Sequence, residues 1–171
     1  METKRRLVQP IRDFRLPRYA EIPNVGLYLE QTTKYINSYL APLGCMELTP
    51  SMVSNYVKKG LVPNPVKKQY EARHIATLFF VAVVKNLVAV EDIILLMQMQ
   101  QNSYSLDVAY DFFCDVLENA LRCVFGLQDR IDELGVTHSD EKDLLFRLVY
   151  SAANSIHLHA CFEAIRTHEK A

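Results

Sequence analysis

The chain has 171 residues, half of them hydrophobic, and 19 Lys or Arg against 20 Asp or Glu, a composition that fills a real core in one ample domain or two small ones and excludes a disordered chain. Its longest apolar run, residues 75–84, ends at Lys85, well short of the roughly 18 residues a membrane span needs, so the expectation is a cytoplasmic protein with no membrane segment and no signal peptide. The net charge of −1 conceals a polarity: residues 1–86 carry 13 Lys or Arg against 6 Asp or Glu, and residues 87–171 carry 6 against 14, which suggests a polyanion-binding module joined to one of another kind.

Residues 1–20 are basic, interrupted by Pro10 and Pro17 and without helical periodicity, so they read as an extended arm. Over residues 26–40, Leu29, Ile36 and Leu40, with Tyr28, Tyr35 and Tyr39 alongside, recur at spacings of three and four, as one face of a helix requires. Pro42, Leu43 and Gly44 close that helix. Thr49-Pro50 then opens a second, because Thr is a favoured N-cap and Pro is tolerated at the first helical position. This helix, residues 50–59, ends at Gly60. The following stretch, Leu61 to Tyr70, contains Pro63, Asn64 and Pro65, which forbid helix, while its flanks can pair as a small β-hairpin, a wing.

Helices are expected next at residues 72–86 and 90–101, the latter with Glu91 and Asp92 in its first turn, where the helix dipole favours acids. Two long helices follow, 106–134, with a possible break at Gly126, and 140–166, separated by residues 135–139. Their apolar faces, Phe112, Phe113, Val116, Ala120, Val124 and Leu127 on one and Leu144, Leu148, Val149, Ala152 and Ile156 on the other, are broad for a two-helix hairpin. The helix at 90–101 or a second protomer must cover them.

On the helix at 50–59, advancing about 100° per residue puts Val53, Tyr56 and Val57 on one side and Ser51, Ser54, Asn55 and Lys58 on the other. Asn can pair with adenine, Ser can bond base or phosphate, and Lys can reach guanine or a phosphate, which is the chemistry of a recognition helix; an ordinary solvated face has the same composition. Lys59, Lys67, Lys68 and Arg73 add cations for backbone contact. Tyr70 fits either a sugar or phosphate contact or a plug over the core.

The segment VKKGLVPNP, the basic stretch to Tyr70 and RHIATLFFVAVVKNLVAVEDIILLM resemble the DNA-binding region of mercuric-resistance-type (MerR) regulators. The chain is more similar still to the bacterial family catalogued as domain of unknown function 1836, through LYLEQTTKYIN, LTPSMVSNYVKKGLVPNP, KKQYEARHI and KNLVAVEDI, over about residues 16–100. The resemblance implies a winged helix-turn-helix, so the expected fold is mainly all-α, with a winged helix-turn-helix domain at residues 21–101 that carries a small β-hairpin wing; the residues themselves place a basic arm at 1–20 and a helical dimerisation or effector domain at 102–171. The resemblance also implies binding of double-stranded DNA, with Ser51, Ser54, Asn55, Lys58 and Lys59 in the recognition-helix position and Lys67, Lys68 and Arg73 in or after the wing. No cysteine cluster follows that region, unlike in the metal-sensing regulators.

Other chemistries find little support. Cys45, Cys114, Cys123 and Cys161 stand singly, as free thiols in a reducing compartment do. His157 and Cys161 can share a helix face, but two ligands do not make a metal site. With no HExxH, GxSxG or phosphate loop, no enzyme activity and no cofactor are expected. Asp107, Asp111, Asp115 and Glu118 read as the wet side of an amphipathic helix. Tyr104, Tyr110, Phe112, Phe113, Phe125, Phe146 and Tyr150 can pack a core or line a pocket for a small apolar effector. The expected function is a transcriptional regulator that forms a homodimer through its C-terminal helices; the alternative is a protein-interaction adaptor that does not bind DNA.

Overall fold

The computed structural model describes residues 2–130, 132 and 138–168. Among them run the helices α1 (Glu2–Arg12), α2 (Leu29–Leu40), α3 (Pro50–Lys58), α4 (Ala72–Val84), α5 (Val90–Gln101), α6 (Leu106–Val124) and α7 (Asp140–His168), with single 3-10 turns at Tyr19–Glu21 and Ala41–Leu43. The most apolar stretch of the sequence becomes the central helix. Every residue of α4 except Arg73 and Phe80 is buried, because a helix apolar on all sides must be surrounded. α2, α6 and α7 pack on it, and the broadest helix–helix contact is that of α6 with α7. One hydrophobic cluster runs from Ile11 and Phe14 through α2, α3 and α4 to Ile156 on α7, so both charge halves share it.

The surface covering α6 is supplied by α4 and, less expectedly, by the N-terminal segment. Residues 2–12 are helical rather than extended. Pro10 sits in the last turn of α1, where it has no N–H to donate to the carbonyl four residues earlier, which is a local cost. Ile11, Phe14 and Leu16 are buried, and that tertiary burial outweighs the local preference. Beyond α1 the chain lies along α6 and is held there by acids. Glu118, only 6% exposed, accepts from the Leu16 N–H at 3.0 Å and from both terminal nitrogens of Arg18 at 2.8 and 3.0 Å. Asp115 accepts from Arg18 at 2.7 Å and Asp111 from the Tyr19 N–H at 2.7 Å. The Tyr110 hydroxyl donates to the Pro17 carbonyl at 2.9 Å. The spacing that reads as a solvated face is therefore a seat for residues 16–19, and of the four acids only Asp107 is exposed.

The expected β-hairpin wing is not present. Among the described residues there are no strands, only two isolated bridges, Val66 with Gln69 and Leu27 with Tyr70. The turn itself forms: Val66 and Gln69 exchange both backbone bonds, at 3.1 and 2.9 Å. The next rung would need the Asn64 carbonyl and the Glu71 N–H, but the His74 ring takes both, at 3.2 and 2.9 Å. Tyr70 meanwhile turns its backbone to Leu27, at 2.7 and 2.9 Å. A side chain from α4 and a neighbour from before α2 thus cap the hairpin after one bridge, and the fold is all-helical rather than winged.

The helices otherwise follow the sequence signals, save that α6 stops at Val124, ten residues short of the longest expectation. Gly126, at φ 70°, takes the left-handed conformation that ends it. Of the expected separator at 135–139, residues 135–137 lie outside the described residues, as does Leu134. No described helix is long and apolar enough to cross a membrane.

Removing the carboxylate that gathers the N-terminal segment leaves Arg18 and the Leu16 N–H without their shared acceptor. Glu118→Ala is expected to lower the unfolding free energy by about 3 kcal/mol, the scale for breaking one side of a buried pair, measured by urea denaturation; a loss under about 0.5 kcal/mol, the scale of ordinary surface substitutions, would make the clamp incidental.

Candidate nucleic-acid interface

Three local devices set the position of α3. Asn37 on α2 bonds both backbone groups of Leu48, donating to its carbonyl and accepting its N–H at 2.8 Å each, which fixes the connection leading into the helix. The Thr49 hydroxyl then accepts the Met52 N–H at 3.2 Å and Pro50 occupies the first helical position. At the far end Gly60, at φ 76°, lets the chain reverse, and the Leu61 and Val62 N–H groups both donate to the Tyr56 carbonyl.

Val53 and Tyr56 are buried and anchor the inner face. Met52 is partly exposed, with its sulfur 3.7 Å from the Lys85 ammonium. Lys85 also donates to the Glu47 carbonyl, tying the end of α4 to the α2–α3 connection. Burial lowers the pKa of that ammonium from the ordinary lysine value, partly offset by Glu47 and Cys45. The outer face is as the wheel predicts: Ser51, Ser54, Asn55, Lys58 and Lys59 are all exposed. None of these side chains is held in a hydrogen bond or ion pair with another described residue.

Lys67 and Lys68 form the tip of the turn between Val66 and Gln69, both exposed and both at positive φ, 51° and 66°. Two left-handed residues between the bridged pair give the primed turn geometry that favours Asn-Gly. A lysine in this conformation costs about 1 kcal/mol. Arg73 projects from the first turn of α4 but faces Glu71, 3.4 Å away, so its charge is partly matched. Tyr70 is buried, 5% exposed, with its ring edge-on to His74 at 5.7 Å. It is the core plug, not a surface contact, because the Leu27 bridge pulls it inward. His74 was not singled out by sequence reasoning; its signal is the histidine three residues after Glu71, at the start of an otherwise apolar helix.

Among the described residues, the cations of the basic half divide in two. Arg18 and Lys85 are used inside the fold, Arg15 pairs with Glu21 at 2.9 Å and Arg73 with Glu71. Lys58, Lys59, Lys67 and Lys68 remain unpaired on α3 and the turn, joined on the surface by Arg12 and Lys34. The other candidate chemistries do not assemble. His157 Nε2 lies 3.8 Å from the Cys161 sulfur, but no three groups that could hold a metal converge among the described residues. All four cysteines are free, and burial pushes the Cys114 thiol up to about 12, which keeps it protonated and unreactive.

The fold and this surface define an all-helical protein in which a short helix, set by a turn against α2, offers a polar and cationic face. The family model described as domain of unknown function (DUF1836) matches residues 17–113, and the chain belongs to that family. No curated protein and no solved structure matches it.

The turn depends on a neutral His74. Its Nδ1 accepts the Glu71 N–H, so Nε2 carries the proton toward the Asn64 carbonyl. Burial lowers its pKa from the ordinary histidine value, against smaller opposing contributions from its bonds to Asn64 and Glu71. Below about pH 6.5 the unfolded chain takes up a proton that the native state resists. Native stability is therefore complete above that pH and declines as pH falls through it, by at most about 1.4 kcal/mol per pH unit for this group. Urea unfolding at pH 5 to 8 is expected to show this decline in the parent and a shallower one in His74→Gln; identical slopes would mean His74 does not resist protonation.

Proposed function

We propose that this protein binds double-stranded DNA, reading the major groove with α3 and meeting the sugar–phosphate backbone with the lysine-tipped turn at residues 66–69, and that it acts as a transcriptional regulator. One observation carries the reading. The outer face of α3 offers Ser51, Ser54, Asn55 and Lys58 with no internal bond to any of them, on a helix whose inner face is locked into the core. An exposed amide, two hydroxyls and an ammonium in one helical array match the donors and acceptors of base edges.

Two further features support it. The turn keeps lysine at two positions where Asn-Gly would cost less, as expected where charge is required rather than tolerated. The order of a helix pair followed by a basic turn and an apolar helix also resembles the DNA-binding region of mercuric-resistance-type regulators, although here no sheet accompanies the turn. As to assembly, Leu158, Phe162 and Ile165 on α7 are each more than half exposed at spacings of four and three. Such a stripe suits an isologous contact between two copies, which would present two α3 helices to a symmetric site.

The test is fluorescence-anisotropy titration of random duplex over a salt series, then selection of preferred sequences. Binding is expected to weaken steeply with salt and selection to return an inverted repeat with half-sites about one helical turn apart. Asn55→Ala should relax preference at one base position by about 1–3 kcal/mol. Lys67→Asn with Lys68→Gly should weaken binding to every sequence and reduce the salt slope by up to about 2, while leaving the protein at least as stable, since Asn-Gly suits the turn. If duplex does not bind at low salt, the reading fails and the adaptor alternative takes its place.

A further inference from the structure

α4, α5, α6 and the start of α7 line a half-open pocket of about 140 Å³. Of the aromatic residues that sequence alone suggests for an effector site, Tyr104, Tyr110, Phe112 and Phe113 line it. Phe125 instead meets His157, and Phe146 stacks on Tyr150. The pocket is lined mainly by apolar side chains, which lack close-packed partners on its open side. Ala76 and Ala109 nevertheless border the space, where any larger apolar side chain would take up part of it. Its volume is close to that of a cavity known to admit a benzene ring.

The lining favours an aromatic occupant. Phe80 and Phe113 stand edge to face, 5.2 Å between centroids, and Met97 adds a polarisable sulfur to the same wall, a combination that welcomes another ring. The rim differs in character, with Gln100, Glu141 and Lys142. Lys142 holds its ammonium 5.1 Å from the Tyr104 ring centroid and 5.4 Å from that of Phe112. The adjacent Glu141 carboxyl is kept below the usual carboxylate range, chiefly by a hydrogen bond with the Ser103 side chain. The lining thus carries both signs of charge, which offset each other for an ionised ligand, whereas an uncharged ring keeps the full benefit of the apolar wall.

We propose that this pocket binds a small uncharged aromatic compound of one ring, its face or edge against Phe80, Phe113 and Met97 and its polar substituent toward the rim. The site is separate from α3 and the turn, so the inference does not depend on DNA binding. Phenol serves as the probe and benzoate as its charged counterpart, followed by protein NMR of the full chain. The expected result is a saturable one-to-one shift of Phe80, Met97 and Phe113 signals with phenol, at least tenfold weaker with benzoate, and abolished by Ala109→Phe, which fills the space. Should that variant unfold, a crystal soaked with 4-iodophenol locates the iodine directly, inside the pocket if the inference holds. No saturable shift, equal or tighter binding of benzoate, phenol binding that survives in folded Ala109→Phe, or iodine found only elsewhere would each overturn it.

Discussion

A carboxylate on α6 that holds a guanidinium from about a hundred residues earlier joins the N-terminal segment to the rest of the fold. Glu118 takes both terminal nitrogens of Arg18 and the backbone N–H of Leu16, and its hydrogen bond pushes the Arg18 pKa upward, keeping the guanidinium charged. An ion pair this shielded from water adds little net stability over an apolar packing of the same shape, yet either member alone is costly to leave behind. Its consequence is geometric. It fixes where residues 16–19 cross α6, and so where Ile11, Phe14 and Leu16 enter the core. The basic and acidic halves of the sequence are thereby joined at a point where their charges meet.

That junction changes what the charge polarity means. A stretch of basic residues ahead of a helix pair invites the idea of a free arm, but of the arm's described cations Arg18 is committed to α6 and Arg15 to Glu21, with Arg12 left on the surface. What remains unpaired at α3 and the turn is a smaller, better-defined set, Lys58, Lys59, Lys67 and Lys68. Each is mounted on something rigid. α3 is pinned by Asn37, Thr49 and the Gly60 reversal, and the turn is pinned by His74 from the buried α4. Helix α4 also forms one wall of the aromatic pocket through Ala76 and Phe80, so the same element supports the candidate binding face and the candidate ligand site.

Much of the fold is legible in the sequence where the signal is local. Thr49-Pro50 and Gly60 mark the two ends of α3, the α5 bounds fall at Val90 and Gln101, and the outer face of α3 follows from helical geometry alone. The failures share a cause. Asp111, Asp115 and Glu118 look solvated because their partners lie about a hundred residues away. Residues 2–12 look extended because Pro10 is visible locally and the burial of Ile11 is not. The hairpin at residues 61–70 is correctly a turn but incorrectly a wing, since the groups that would extend the ladder bond to His74 and Leu27, and no pattern within the segment announces that. Tyr70 follows the same rule: its burial is decided by the Leu27 bridge, outside its own neighbourhood.

The proposed surface for duplex DNA is the outer face of α3 together with the lysine-tipped turn. The most direct measurement is a backbone NMR footprint of the isotopically labelled 171-residue chain, titrated with a short duplex at low salt. The largest shifts are expected on Ser51, Ser54, Asn55, Lys58 and Lys59 and on residues 66–69, with α6 and α7 little changed. Shifts concentrated on the acidic helices, or none at all under conditions where the protein remains folded, would contradict it.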